Sequence, residues 1–241
     1  STLGKIFNCK VVCYWSRDTP LFKLGSRPND YPEDIGNYIQ FPENIILVSK
    51  QEWKKSKYKK ICPYRYNWNN YDTGDELVPE IQYIKLKLNN VISYNDYLNI
   101  YKSCAKEFKY KNQLPEIPYN YIGVHIRRGD RLNGFWEKKN NTHDENFYDN
   151  KLIEVFNKLK ENKYVLCSES HNPIKNENPI KLNLSKNKKI KTLEEFFILT
   201  KAAKIIQSVP GDTNYGGWTS FSYIASRIGD SPLYSCSLPG T

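Results

Sequence analysis

Apolar and polar positions alternate between two periods along the carboxyl-terminal half of the chain. Residues 120–126, 163–168, 204–208 and 233–236 form short, largely apolar runs of strand length. Between them the spacing is helical. Leu152, Val155, Phe156 and Leu159 share one face of a helix predicted over 147–161, and further helices are predicted over 193–203 and 220–227. Strands alternating with helices predict a parallel sheet with helical crossovers, a Rossmann-like layer. The amino-terminal half is less regular. Residues 10–15 and 45–49 read as strands, and 16–44 and 58–80 as loops rich in Pro, Asn and Asp or Tyr. Residues 81–88 fit a strand or a helix. From Asp96 a helix is predicted, with Leu98, Tyr101, Ala105 and Phe108 on one face. Pro115 and Pro118 mark a linker, which divides the chain into lobes at 1–118 and 119–241.

The richest chemistry lies where the strand over 120–126 runs into Arg127-Arg128-Gly129-Asp130. Side chains alternate faces along a strand, so His125 and Arg127 share one face and Arg128 and Asp130 the other. Arg128 and Asp130 are placed to pair and hold the turn. His125 and Arg127 are placed to meet a ligand at the carboxyl end of the strand, where open α/β sheets bind ligands. An arginine fork offers a diphosphate two charge-assisted hydrogen bonds. The competing reading is an ordinary salt-bridged strand end. Downstream, Gly216-Gly217-Trp218-Thr219-Ser220-Phe221-Ser222 leads into a helix that Gly229 and Pro232 stop. Backbone N–H groups, the helix dipole and small hydroxyls there suit an anion. Simple capping by Thr219 or Ser220 explains the same residues.

His125-x-Arg127-Arg128-x-Asp130, followed by Thr219-Ser220-Phe221-Ser222, resembles the fucosyltransferase superfamily of α1,2-, α1,6- and protein O-fucosyltransferases. The likeness covers about residues 119–236 and is faint before them. It implies a GT-B-type α/β fold with two Rossmann-like lobes. It also implies inverting transfer of L-fucose from GDP-fucose to a glycan hydroxyl. Arg127 would be the catalytic residue, contacting the donor's β-phosphate. His125, Thr219, Ser220, Phe221 and Ser222 would bind the donor, and Arg128 and Asp130 would support the motif. Glu195 falls near the carboxylate with which the family reads guanine. It also reads as the third helical residue of a capping box, Thr192-Leu193-Glu194-Glu195. The family's first strand and glycine turn are not visible, so the amino-terminal lobe is expected to be incomplete. The general base is not identified; Asp130, Glu137, His143 and Asp144 lie on or after the motif loop, and Phe135 stands where an acid is sought. With no Asp-x-Asp pattern, neither metal nor cofactor is expected.

Composition adjusts this picture at its edges. The chain has 241 residues, 39% hydrophobic and 14% aromatic, with a mean hydropathy of −0.70. That suits one large or two small polar globular domains. No apolar run approaches the ~20 residues of a membrane span. A net charge of +10 and a pI of about 9.1 fit an anionic ligand, or a lysine-rich drift typical of an AT-rich genome. Another sugar nucleotide, or a basic nucleic-acid-binding protein, is the alternative reading; no nucleic-acid partner is expected, because the lysine runs lack interleaved aromatics. The six cysteines show no Cys-x-x-Cys pattern, which favours a reducing bacterial or viral-host cytosol. A secretory lumen with a removed anchor is the alternative, and the sequons at Asn140 and Asn183 matter only there. The chain lacks methionine even at its start, which points to trimming or to lost Met positions.

Overall fold

A computed structural model describes residues 1–14, 34–55, 91–128, 145–159, 163–168, 171–174, 179–209 and 220–236. Residues 81–88, the loop over 58–80, Asp130, Glu137, His143, Asp144 and Thr219 lie outside them. The fold is mixed α/β with parallel strands. The chain divides into two compact units. The first holds the described residues of 1–65, 78–114 and 184–194, and the second those of 115–183 and 195–241.

In the first unit, α1 (Thr2–Ile6) packs against α3 (Tyr94–Glu107), and β1 (Val11–Tyr14) pairs in parallel with β3 (Ile45–Val48). A 3-10 turn at Ile35–Asn37 leads into β2 (Ile39–Gln40), which pairs antiparallel with β4 (Lys109–Tyr110). The predicted loop over 16–44 thus holds structure at its end. Serine sets the start of two helices. Ser49 Oγ accepts from the Glu52 N–H at α2 (Lys50–Lys55), and Ser93 Oγ accepts from the Asp96 N–H at α3, each with the acid reaching back to the serine hydroxyl. Tyr97, Cys104 and Ala105 are the buried side of α3.

The second unit carries a four-stranded parallel sheet in the order β6 (Tyr164–Ser168), β5 (Ile122–Ile126), β7 (Lys204–Ser208), β8 (Leu233–Ser235). This unit also holds the helices α4 (Glu145–Leu159) and α6 (Ser220–Gly229) and, from Glu195 on, the last turn of α5 (Lys188–Leu199). The two faces of β5 differ. Ile122, Val124 and Ile126 join Leu152 and Phe156 of α4 in the main core. Gly123, on the opposite face, meets Leu199 and Ala202 at the end of α5. The chain leaves β5 for β6 on one side and returns for β7 on the other. Such a reversal makes a crevice at the carboxyl ends of β5 and β7.

One sequence expectation is corrected. The capping box at Thr192 does not exist, because α5 starts four residues earlier, at Lys188. Asn187 caps it by accepting from the Lys189 N–H, and Thr192 Oγ1 donates back to the Lys188 carbonyl inside the helix. Glu195 is therefore not a capping residue. Lys188 and Lys189 fall before the helix predicted over 193–203, yet lysine is a good helix former once a cap is in place. The helix α6 ends at Gly229, as expected. The left-handed residue is Asp230, with φ 57°. Gly229 is small because a Cβ would lie 2.2 Å from the Thr200 carbonyl oxygen. Among the described residues no helix is long and apolar enough to cross a membrane.

Gly123 lets α5 close on the sheet beside the crevice. A Cβ there would lie 2.6 Å from Leu199 Cδ2 and 3.1 Å from Ala202 Cβ. Both neighbours are buried and cannot swing into solvent. Gly123→Ala is expected to cost about 1–3 kcal/mol. A shift in the urea midpoint at constant m checks it; an unchanged midpoint would mean that α5 moves without cost.

Candidate active site at the carboxyl end of the parallel sheet

Period-two alternation decides where the motif residues go. Arg128 continues the α4 face of β5 and is 2% exposed. A bare buried guanidinium would be very costly, so its partners define the site. Its Nη2 lies 2.6 Å from Asp149 Oδ1 of α4 and 3.0 Å from Ser208 Oγ, and its Nη1 donates to the Ser208 carbonyl at 2.7 Å. The Tyr148 ring centroid is 5.8 Å from its Cζ. The sequence expectation paired Arg128 with Asp130; its described carboxylate partner is Asp149.

Asp149 is 9% exposed and is shared. His171 Nε2 meets its Oδ2 at 2.5 Å, and His171 Nδ1 lies 3.2 Å from Glu145 Oε1. Sequence reasoning passed over both residues. Asp149 had a legible signal: it sits on the buried stripe of α4 with Tyr148, Leu152 and Phe156, where an acid needs a partner. His171, in a Pro/Asn/Lys-rich stretch, had none.

His125 occupies the other face. Its Nδ1 lies 2.5 Å from Ser222 Oγ, in the first turn of α6, and its ring centroid is 5.0 Å from that of Phe221. Phe221 in turn meets Phe196 of α5 edge-on at 5.3 Å. Burial, then the nearby Arg127 charge, pushes the His125 pKa down to about 3. The imidazole is thus neutral near pH 7 and shares a single proton with the Ser222 hydroxyl. Ser222 is fully buried, so its hydroxyl fixes His125. The backbone of Ser220 opens α6.

Arg127 is half-buried, and its backbone N–H donates to the Ser208 carbonyl at 3.0 Å. Glu195, also half-buried, is on the His125 face: its carbonyl lies 3.9 Å from Cys167 Sγ, and Cys167 pairs with His125 across β6 and β5. The structure therefore gathers His125, Arg127, Phe221, Ser222 and Glu195 near the carboxyl end of one sheet face, and sends Arg128 to the other. Cys236 follows β8 with its thiol pushed up to about 12 by burial, so it supplies no thiolate.

No family model and no curated protein matches the chain. Among solved structures it is similar to two crystal forms of POFUT1 in complex with GDP-fucose. For the first, identity is 12% and the TM-score 0.34, over 61% of this chain and 50% of that chain. For the second, identity is 10% and the TM-score 0.37, over 82% and 80%. The chain thus spans half the length of the first.

Removing Arg128 would leave the Asp149 carboxylate, 9% exposed, without its guanidinium partner. Arg128→Met is expected to lose about 3–5 kcal/mol in urea unfolding. A loss below about 1 kcal/mol would mean that the pair is worth no more than one on the surface.

His125 makes a pH prediction with a definite sign. In the unfolded chain a histidine takes up its proton near about 6.5. Folded His125 does so only near about 3. Between these values the unfolded state binds more protons, so His125 stabilises the fold fully above about 6.5 and loses that contribution as pH falls toward 3. The melting temperature of His125→Gln is expected to fall less steeply over this window than that of the wild type. Parallel profiles would show that the ring is not desolvated.

Proposed function

We propose that the protein is an inverting glycosyltransferase that uses a nucleoside-diphosphate sugar, with GDP-fucose as donor and a glycan hydroxyl as acceptor. The observation that carries the reading is the junction of β5 with the first turn of α6. His125 meets Phe221 and Ser222 there, two residues before Arg127. One arginine and one helix N-terminus thus converge at the carboxyl ends of parallel strands, an arrangement suited to a diphosphate. The order of these residues along the chain is also that of the fucosyltransferase motif.

In this reading the acceptor oxygen attacks the anomeric carbon. The new glycosidic bond forms as the bond to the β-phosphate oxygen breaks, and the diphosphate leaves with the electron pair. Negative charge grows on that leaving group. Arg127 meets it there, stabilising the transition state more than the ground state. The α6 N-terminus adds backbone N–H groups and a positive dipole end. Neutral His125 hydrogen-bonds without adding charge. Glu195 reads the guanine N1–H and amino group, a pair of donors that suits a carboxylate. The division into donor and acceptor lobes of a GT-B enzyme, and a reaction that needs no metal, belong to the same proposal.

A thermal-shift panel tests it. GDP at about 100 times its dissociation constant is expected to add about 2.7 kcal/mol of stability, and UDP and CMP less. Arg127→Ala and Arg127→Lys are both expected to remain folded and lose GDP-fucose turnover, because an ammonium cannot reproduce the fork. Wild-type turnover should persist in excess EDTA. A shift with UDP and none with GDP would replace the donor. Full turnover by Arg127→Lys would remove the fork from the mechanism.

A further inference from the structure

We propose that Asp149 and His171 are positioning residues for the anion site at Arg127, acting through Arg128. The proposal deepens the anion-binding reading of Arg127 and rests on it. Arg127 and Arg128 are tied to one acceptor: the Ser208 carbonyl takes the Arg127 backbone N–H at 3.0 Å and Arg128 Nη1 at 2.7 Å. Whatever orients the Arg128 guanidinium therefore orients the peptide from which Arg127 projects. Asp149 holds Arg128 through Oδ1 and is itself held by His171 through Oδ2, at 2.6 and 2.5 Å.

His171 closes this chain from the protein surface. Its side chain is 45% exposed, yet both ring nitrogens face carboxylates, Asp149 and Glu145. Its segment is anchored rather than loose. Asn172 Nδ2 donates to Tyr164 Oη at 2.8 Å, Asn172 Oδ1 accepts from the Ile174 N–H at 3.1 Å, and Ile174 is buried in the main core. A fixed imidazole therefore sets the rotamer of Asp149. Without it, Asp149 Oδ2 is free to turn toward the remaining donors, and the Arg128 contact loses its geometry. The result is a relay from surface to crevice, His171 to Asp149 to Arg128 to the Arg127 peptide.

Inorganic pyrophosphate, followed by isothermal titration, is the probe, because it engages the anion site without a base or a sugar. His171→Leu is expected to weaken pyrophosphate binding about tenfold, a coupling typical of one hydrogen-bonded network. His171→Gln keeps an amide donor for Asp149 and is expected to bind within about twofold of the wild type. Because His171 is half-exposed, both variants are expected to fold, and circular dichroism confirms it. Wild-type affinity in His171→Leu, a Gln variant as weak as the Leu variant, or a wild-type protein that binds no pyrophosphate overturns the proposal. GDP and UDP titrated alongside separate it from the donor reading. Equal affinity for the two nucleotides overturns the guanosine assignment and leaves the result on His171 standing.

Discussion

The Ser208 carbonyl is the acceptor on which the second unit's crevice depends. It ends β7 and receives two donors from the segment that leaves β5, one from backbone and one from a guanidinium. Ordinary ladder bonds would join the two strands and stop. This shared acceptor extends their union past the sheet, so that consecutive arginines leave β5 on a fixed backbone. The arginine that pays for the arrangement with its own burial is Arg128. Asp149 offsets that burial and Ser208 accepts from both terminal nitrogens, while the buried Nε has no hydrogen-bond partner among the described residues and lies 3.8 Å from Glu145 Oε1. Breaking the pair costs more than making it gains, and this asymmetry is what gives the junction its single geometry.

From that anchor the two faces of β5 take different work. The face with Ile122, Val124 and Ile126 builds core against α4 and ends in Arg128. The face with Gly123 and His125 admits α5 and α6 closely and ends in Arg127. Gly123 allows the close approach, and the His125–Ser222 contact then seats the first turn of α6 beside the strand end. Sequence alternation, a property of every strand, thus becomes a separation of a buried cation from a half-buried one. Under the proposed function the separation has a purpose: the buried arginine is held in the core, and the half-buried one stands at the site proposed for the diphosphate.

The sequence made the sheet legible because its strands are short apolar runs between strong breakers. The run at 204–208 coincides with β7, and the helix over 147–161 with most of α4. The alternation rule also separated His125 and Arg127 from Arg128 without any knowledge of tertiary contacts. What stayed hidden has physical causes. The start of α5 depends on Asn187, one residue whose side chain accepts a single backbone N–H, and no apolar period announces it. Gly229 ends α6 as read, but that its smallness also answers a carbonyl distant in sequence could not be seen. Asp149 carried a signal, an acid on an apolar stripe, but its partners are 21 and 22 residues away. His171 could be found only after the chain was folded.

The electrostatics of the site also limit who can do the proton chemistry. A general base works best when its pKa lies near the working pH. His125 faces the right side of the sheet, but burial and Arg127 hold it down to about 3, so it is a poor acceptor for an alcohol proton. The cation that would favour a departing diphosphate is the same one that disfavours charge on the histidine. A crevice tuned to stabilise negative charge on a leaving group therefore cannot also raise the basicity of a ring beside that charge. Under the proposed function the two tasks must be spatially separate. The leaving group is met at Arg127 and α6, and His125 is not the group that takes the acceptor's proton.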